Sequence, residues 1–265
     1  MKKFSIFVLS ILTLASCQQN NIWNDIQAGF QTSNDSNAYQ SRCAFLLRQG
    51  RPVADIACLE AEDSESGCFD MEIPEGYSAD LINADVLMNR SEVINKKLVL
   101  DGGMEYSLLI LPQQEAMDLD LLECIYGLEK QGLIVAGSLP ERSSGPKSGP
   151  EADARVLELC ELMDPMTVSD GVFLATVLSN MGVEPDCFIG CDNLKFIHRT
   201  LGQEGDIYFI SNQNEYQVDI YPEFRVEPGF SAQIWNPATG EIHAWKEESL
   251  ELEALQSVFV VFRKD

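Results

Sequence analysis

The stretch Cys58 to Ser66, CLEAEDSES, places Glu60, Glu62 and Asp63 directly behind an apolar run. Two carboxylates facing one another, one protonated and one ionised, are the groups that cleave a glycosidic bond by acid–base chemistry. With 42 Asp plus Glu in the chain, acidic neighbours carry no weight by number. Position gives these three their interest. The preceding VADIACL reads as the first buried strand of an α/β sheet, and open α/β sheets build their crevices beyond the carboxyl ends of their strands. Glu62 and Asp63 are therefore the candidate catalytic carboxylates; the competing reading is a solvated acidic loop.

Other reactive groups are sparse. The chain has two histidines, His198 and His243. Cys58 falls at a strand end, but neither histidine lies in the same part of the chain to activate it, so a buried thiol is the expectation. His198, in FIHRT, sits among apolar residues and reads as a structural histidine held by a backbone carbonyl. There is no Gly-x-Ser-x-Gly nucleophile turn. The loop SLPERSSGPKSGPEADA lacks the glycine-loop spacing that cradles phosphate. In FSAQIWNPATGEIHAW, Trp235 and Trp245 flank a Pro-Thr-Gly turn. Both are candidates for stacking on a sugar ring, and packing into a core competes with that role. Cys187 and Cys191 in CFIGC could pair or bind metal, but no histidine lies near them in sequence; no metal and no cofactor are expected.

Composition narrows the partners. Against 18 Lys plus Arg, the acidic residues give a net charge of -24 over 265 residues. Such a chain repels phosphate backbones, which excludes nucleic acid as a partner and leaves a neutral ligand such as a glycan open. Apolar residues make up 45% of the chain, enough for packed cores.

The N-terminal MKKFSIFVLSILTLASCQQNN has two lysines, an apolar run of signal-peptide length, and Leu-Ala-Ser before Cys17. This resembles a bacterial lipoprotein signal with Cys17 as the lipidated residue. Several acyl chains anchor stably, since each buried methylene adds roughly 0.8 kcal/mol. Gln18, not Asp, follows the cysteine, which favours outer-membrane placement in the cell envelope. Seven cysteines remain beyond Cys17. An odd number cannot all pair within one chain, and Cys124 and Cys160, on helical patterns, read as buried free thiols.

The elements needed to position these residues follow from periodicity. Residues 1–17 read as the signal and lipobox, and 18–37, rich in Gln, Asn, Ser and Asp, as a polar tether on which Trp23 and Phe30 could dock. YSLLIL and LIVAG are continuous apolar runs of strand length, typical of a parallel sheet covered on both faces. Between them DLDLLECIYGLEK reads as a helix with Asp118 as N-cap and Gly132 as its stop. Further helices are expected near 151–163 and 170–181. Residues 38–192 thus form a small doubly wound α/β domain of flavodoxin or glutamine-amidotransferase type. Beyond it, YQVDIYPEFRVE alternates with Tyr216, Val218, Ile220, Phe224 and Val226 on one face. DIYFIS, AQIW, EIHAW, SLELEAL and SVFVVFRK are further strands, so 193–265 is expected to be an all-β unit, a β-sandwich.

The phrases SRCAFLLRQGRPVADI, PEGYSADLINADVL, LVLDGGMEYSLLILP, FIHRT, DIYFISNQ, IWNPATGEI and SVFVVFRK, in that order, resemble the C-terminal part of large bacterial α-L-rhamnosidases of glycoside hydrolase family 106. The resemblance covers about residues 38 to 265. It implies that the family's chemistry lies on a (β/α)8 barrel preceding this region, so no catalytic residue carries over. Glu62 and Asp63 match a family position after a strand, without the aromatic neighbours expected there. The resulting expectation is an envelope lipoprotein with the accessory part of a glycoside hydrolase, lacking its barrel and associated with glycan. Two alternatives stand beside it: an active glycoside hydrolase using carboxylates of the α/β domain, and an assembly subunit docking a separate catalytic barrel. If the lipobox reading holds, a strain fed labelled palmitate incorporates label into this protein and loses it on Cys17→Ser; a labelled Cys17→Ser protein would refute it.

Overall fold

A computed structural model describes residues 22–32, 37–61, 72–166, 171–246 and 249–264. The signal segment with Cys17, the carboxylates Glu62 and Asp63, and Cys68 lie outside the described residues. The chain is a mixed α/β structure with several sheets. Two of them organise the rest.

The first is parallel and four-stranded, in the order Ala79–Ile82, Ile56–Leu59, Leu108–Ile110, Ile134–Ala136. Its strands are apolar on both faces because both faces are covered. Ala57, Leu59, Leu109 and Val135 point to one core, shared with Leu121, Leu122 and Ile125 of the helix Leu119–Lys130 and with Val156 and Leu159 of the helix Pro150–Leu162. Ile56, Cys58, Leu108 and Ile110 point the other way, onto Leu174 and Leu178 of the helix Gly171–Asn180. Asp118 caps the helix Leu119–Lys130 as its position suggests, its Oδ1 accepting from the backbone N–H groups of Asp120 and Leu121 at 2.9 and 3.2 Å.

The second sheet is antiparallel and six-stranded. Its order is Arg51–Pro52, Leu194–Thr200, Gly205–Asn212, Ser257–Arg263, Ser231–Trp235, Ile242–Ala244. One face packs on the short strand pair Val218–Ile220 and Leu250–Leu252, with Tyr208, Ile234, Val260 and Phe262 buried between. YQVDIYPEFRVE is not one strand. Pro222, which has no N–H to give to a ladder, separates Val218–Ile220 from Glu223–Phe224, and the latter pairs instead with Cys187–Phe188.

The opposite face of this sheet explains the N-terminus. Ile207, Phe209, Phe259 and Val261 project there, and a helix at Ile22–Thr32 covers them. The polar composition of this stretch suggests a tether. Its apolar residues, however, recur at Trp23, Ile26 and Phe30, one helical stripe, and all three are buried. The Trp23 indole N–H donates to the Glu204 carbonyl at 2.8 Å, and Phe30 packs on Trp235 at 5.1 Å between ring centroids. Gly205, at φ +139°, lets the indole approach: a Cβ there would lie 2.9 Å from Trp23 Cζ2 and 2.0 Å from the Phe262 carbonyl oxygen. The helix Ala38–Leu46 adds the buried Arg42, whose Nη1 donates to the carbonyls of Pro237 and Ala238 and so fixes the NPATG turn. The chain start and the last strand therefore share one core. Trp23→Ala should cost about 3–5 kcal/mol, the usual range for a buried aromatic truncated to alanine, read as a lower urea midpoint; an unchanged midpoint would show that the helix is dispensable.

Candidate functional site

The parallel strands begin at Ile56, Leu108 and Ile134, and the residues just ahead of them, Asp55 and Ser107, open onto a cleft of about 740 Å³. Arg51, Lys96, Lys97, Glu105, Glu184, His198 and Arg225 also line it, so it lies where the two sheets meet. This is the amino end of the parallel sheet. The carboxylates singled out in the sequence follow its carboxyl end: Glu60 donates its backbone N–H to Ile82 there, and Glu62 and Asp63 are outside the described residues.

The floor of the cleft is a buried polar network. His198 lies on an interior strand of the antiparallel sheet. Its Nδ1 is 3.0 Å from both carboxylate oxygens of Asp186, and its Nε2 is 3.1 Å from Asp206 Oδ1. Its ring stacks on Tyr208 at 4.0 Å. The Tyr208 hydroxyl donates to Asp186 Oδ1 at 3.0 Å. Arg225 extends the network to the parallel sheet: its Nη2 is 2.7 Å from Asp55 Oδ1 and 3.5 Å from Asp186 Oδ1. Asp55 in turn accepts from the Ser107 N–H through its backbone carbonyl at 2.8 Å. A carboxyl group at each ring nitrogen favours a ring that donates from both. Burial alone would lower its pKa, but the hydrogen bonds to Asp186 and Asp206 outweigh burial and raise it. Burial pushes the Asp55 carboxyl up, against the opposing pull of Arg225.

The partner of His198 is thus a pair of carboxylates, not the backbone carbonyl its neighbours suggest. None of Asp55, Asp186, Asp206 or Arg225 stood out in the sequence. The available signal was charge set beside apolar residues: Asp186 before Cys187, and Asp206 opening DIYFIS.

Little of this arrangement is free to react. Asp55 Oδ2 has no partner and is closed off from solvent, so it cannot reach a bound substrate. Glu105 is paired with Arg51 at 3.9 Å and Lys97 at 3.8 Å. Cys58 is buried on the sheet face, its thiol pushed up to about 12 by burial. Among the described residues no group of three or more His, Cys, Asp or Glu has a metal-holding arrangement, and six cysteines are free. Trp235 offers no free face. Trp235 is fully buried against Phe30, and Trp245 is half-buried with its ring edge-on to Phe224 at 5.9 Å. Trp235 serves packing, and Trp245, just past the strand Ile242–Ala244, packs partly against the core that Phe224 also joins.

Comparison with known proteins gives a consistent picture. Residues 17–248 match the profile of glycoside hydrolase family 106, described as alpha-L-rhamnosidase. A Formosa agariphila protein named "Putative beta-glucuronidase" is 30% identical over 243 residues, covering 85% of this chain and 20% of its own length. The solved rhamnosidase from Novosphingobium sp. PP1Y superposes with a TM-score of 0.73 at 28% identity, over 86% of this chain and 24% of that one. A β-galactosidase from Bacillus circulans sp. alkalophilus matches at a TM-score of 0.52 and 11% identity, over 83% of this chain and 42% of its own, a likeness of fold alone. The chain thus spans a fifth to a quarter of the length of the first two relatives.

The charged floor makes stability pH-dependent. His198 has a raised folded pKa, so its contribution is complete below the unfolded value of about 6.5 and is lost as pH rises through the folded value. Unfolding free energy should fall above pH 6.5 with a slope of up to about 1.4 kcal/mol per pH unit. His198→Gln should flatten that slope; an equal slope in the variant would assign the effect to other groups.

Proposed function

The chain belongs to glycoside hydrolase family 106, the α-L-rhamnosidase family, and from that premise we propose that the described region is a non-catalytic, glycan-associated accessory part of an envelope lipoprotein. The observation that carries this reading is the closed state of the cleft floor. Its buried carboxylates are tied to His198 and Arg225, and Asp55, the carboxyl raised in the manner of a general acid, has its unpaired oxygen sealed from any ligand. Glycoside hydrolysis needs two carboxyl groups that both reach the bond. The match to about a quarter of a solved rhamnosidase supports the same view, since the activity of so long a protein need not reside in this part. On this reading the parallel sheet with its helices is a doubly wound lobe of flavodoxin or glutamine-amidotransferase type. The antiparallel sheet with its small partner sheet is a β-sandwich, and Cys17 carries the lipid.

One feature favours hydrolytic activity instead: a carboxyl with a raised pKa in a cleft of ligand size. Assays separate the two. Purified protein should release no 4-nitrophenol from aryl α-L-rhamnoside or aryl β-D-glucuronide above the buffer blank, while native gels containing a neutral galactan should retard it. Release that disappears in Asp55→Asn, or in Glu62→Gln with Asp63→Asn, would overturn the non-catalytic reading. Unretarded migration would overturn the glycan association.

A further inference from the structure

Trp235 is packed away and Trp245 is partly covered, which turns attention to the exposed rings. Tyr216 is 62% exposed, at the end of the antiparallel sheet where three loops converge. The buried Asn212 side chain gathers them: its amide nitrogen donates to the carbonyls of Tyr216 at 2.9 Å, Glu253 at 2.9 Å and Leu252 at 3.3 Å. Asn214 ties in the third loop, its side chain donating to the Asp192 carbonyl at 3.0 Å and its own carbonyl accepting from Leu255 N–H. Leu255, 66% exposed, is held at φ +58°, a left-handed conformation that a leucine seldom adopts. The cluster therefore anchors the backbone that carries an exposed ring and an exposed aliphatic side chain.

We propose that this loop cluster is a binding platform for a neutral pyranose residue, with the Tyr216 ring as its stacking face. An exposed phenol ring offers an apolar face to the C–H groups of a sugar and a hydroxyl at its edge. A base already ordered lowers the entropic cost of binding. Charge selects the ligand class: Asp192, Glu215, Glu251 and Glu253 are all exposed on the loops and strand that form the cluster, so uronates and sulfated sugars are repelled. Tyr221, at 71% more exposed still, is not held by this hydrogen-bonded cluster and serves as the control ring. The inference rests on the glycan-associated reading above and adds to it a place and a ligand class.

Saturation-transfer NMR on the full chain with methyl β-D-galactoside, methyl α-L-rhamnoside and sodium galacturonate tests it. Transfer is expected to the neutral glycosides and not to galacturonate. Tyr216→Ala should weaken it roughly tenfold, Tyr216→Trp should retain it, and Tyr221→Ala should leave it unchanged. Leu255→Gly relieves the left-handed strain, so it should fold at least as well while binding more weakly. Unchanged transfer in Tyr216→Ala, or a preference for galacturonate, would overturn the platform. If galactan still retards Tyr216→Ala in gels, the glycan association stands and the platform alone falls. If wild-type protein shows neither retardation nor transfer, both fall.

Discussion

The position of the two main sheets depends on one buried chain of charges, Asp206–His198–Asp186–Arg225–Asp55. Three acidic side chains face the His198 ring and the Arg225 guanidinium, and all but the guanidinium are buried, where a lone charge would cost several kcal/mol. Asp186 holds the centre, since it faces both His198 and Arg225, and removing it would strip a partner from each. Asp55 precedes the first parallel strand, whereas Arg225 follows the strand Glu223–Phe224 and His198 lies on the antiparallel sheet. The two sheets can therefore satisfy these groups only in one relative placement. Such a network is weak evidence for stability in itself, and its clearer physical role is to specify geometry.

The same economy governs the antiparallel sheet. SVFVVFR shows no alternation of apolar and polar residues, and six of its seven residues are buried. A strand with two apolar faces demands two covers. The small strand pair supplies one, and the helix Ile22–Thr32 supplies the other from the far end of the chain. A stretch that is polar by composition can still be structural, since three residues on one stripe are enough to close a core.

Much of the parallel sheet was legible because its signals are local: continuous apolar runs at YSLLIL and LIVAG, a capping aspartate at 118, a glycine stop at 132. What escaped is long-range. The alternation of YQVDIYPEFRVE placed Tyr216 on the inward face with Val218 and Ile220, but the strand begins only at Val218, so Tyr216 belongs to a loop and faces solvent. Periodicity cannot tell where a ladder starts. Nor can it pair Asp186 with His198 or Asp55 with Arg225, 170 positions apart. The two tryptophans looked like sugar platforms by type, and only the covering helix shows that the faces of Trp235 are taken.

These corrections bear on where recognition resides. The cleft lies at the amino ends of the parallel strands, facing the C-termini of the helices Leu119–Lys130 and Gly171–Asn180 through Gly132 and Gly182. Helix C-termini carry partial negative charge, so cations are favoured beside them. The stem of Lys96 packs against Gly132, and Arg51 and Lys97 both lean on Glu105. Arg51 and Lys97 thus answer a charge of the fold itself. In a protein with a net charge of -24, cations already set against a carboxylate offer an anion a weaker field than their number suggests. On the proposal of a neutral-sugar platform, this argues for recognition at the loop ends of the antiparallel sheet in preference to the cleft between the sheets.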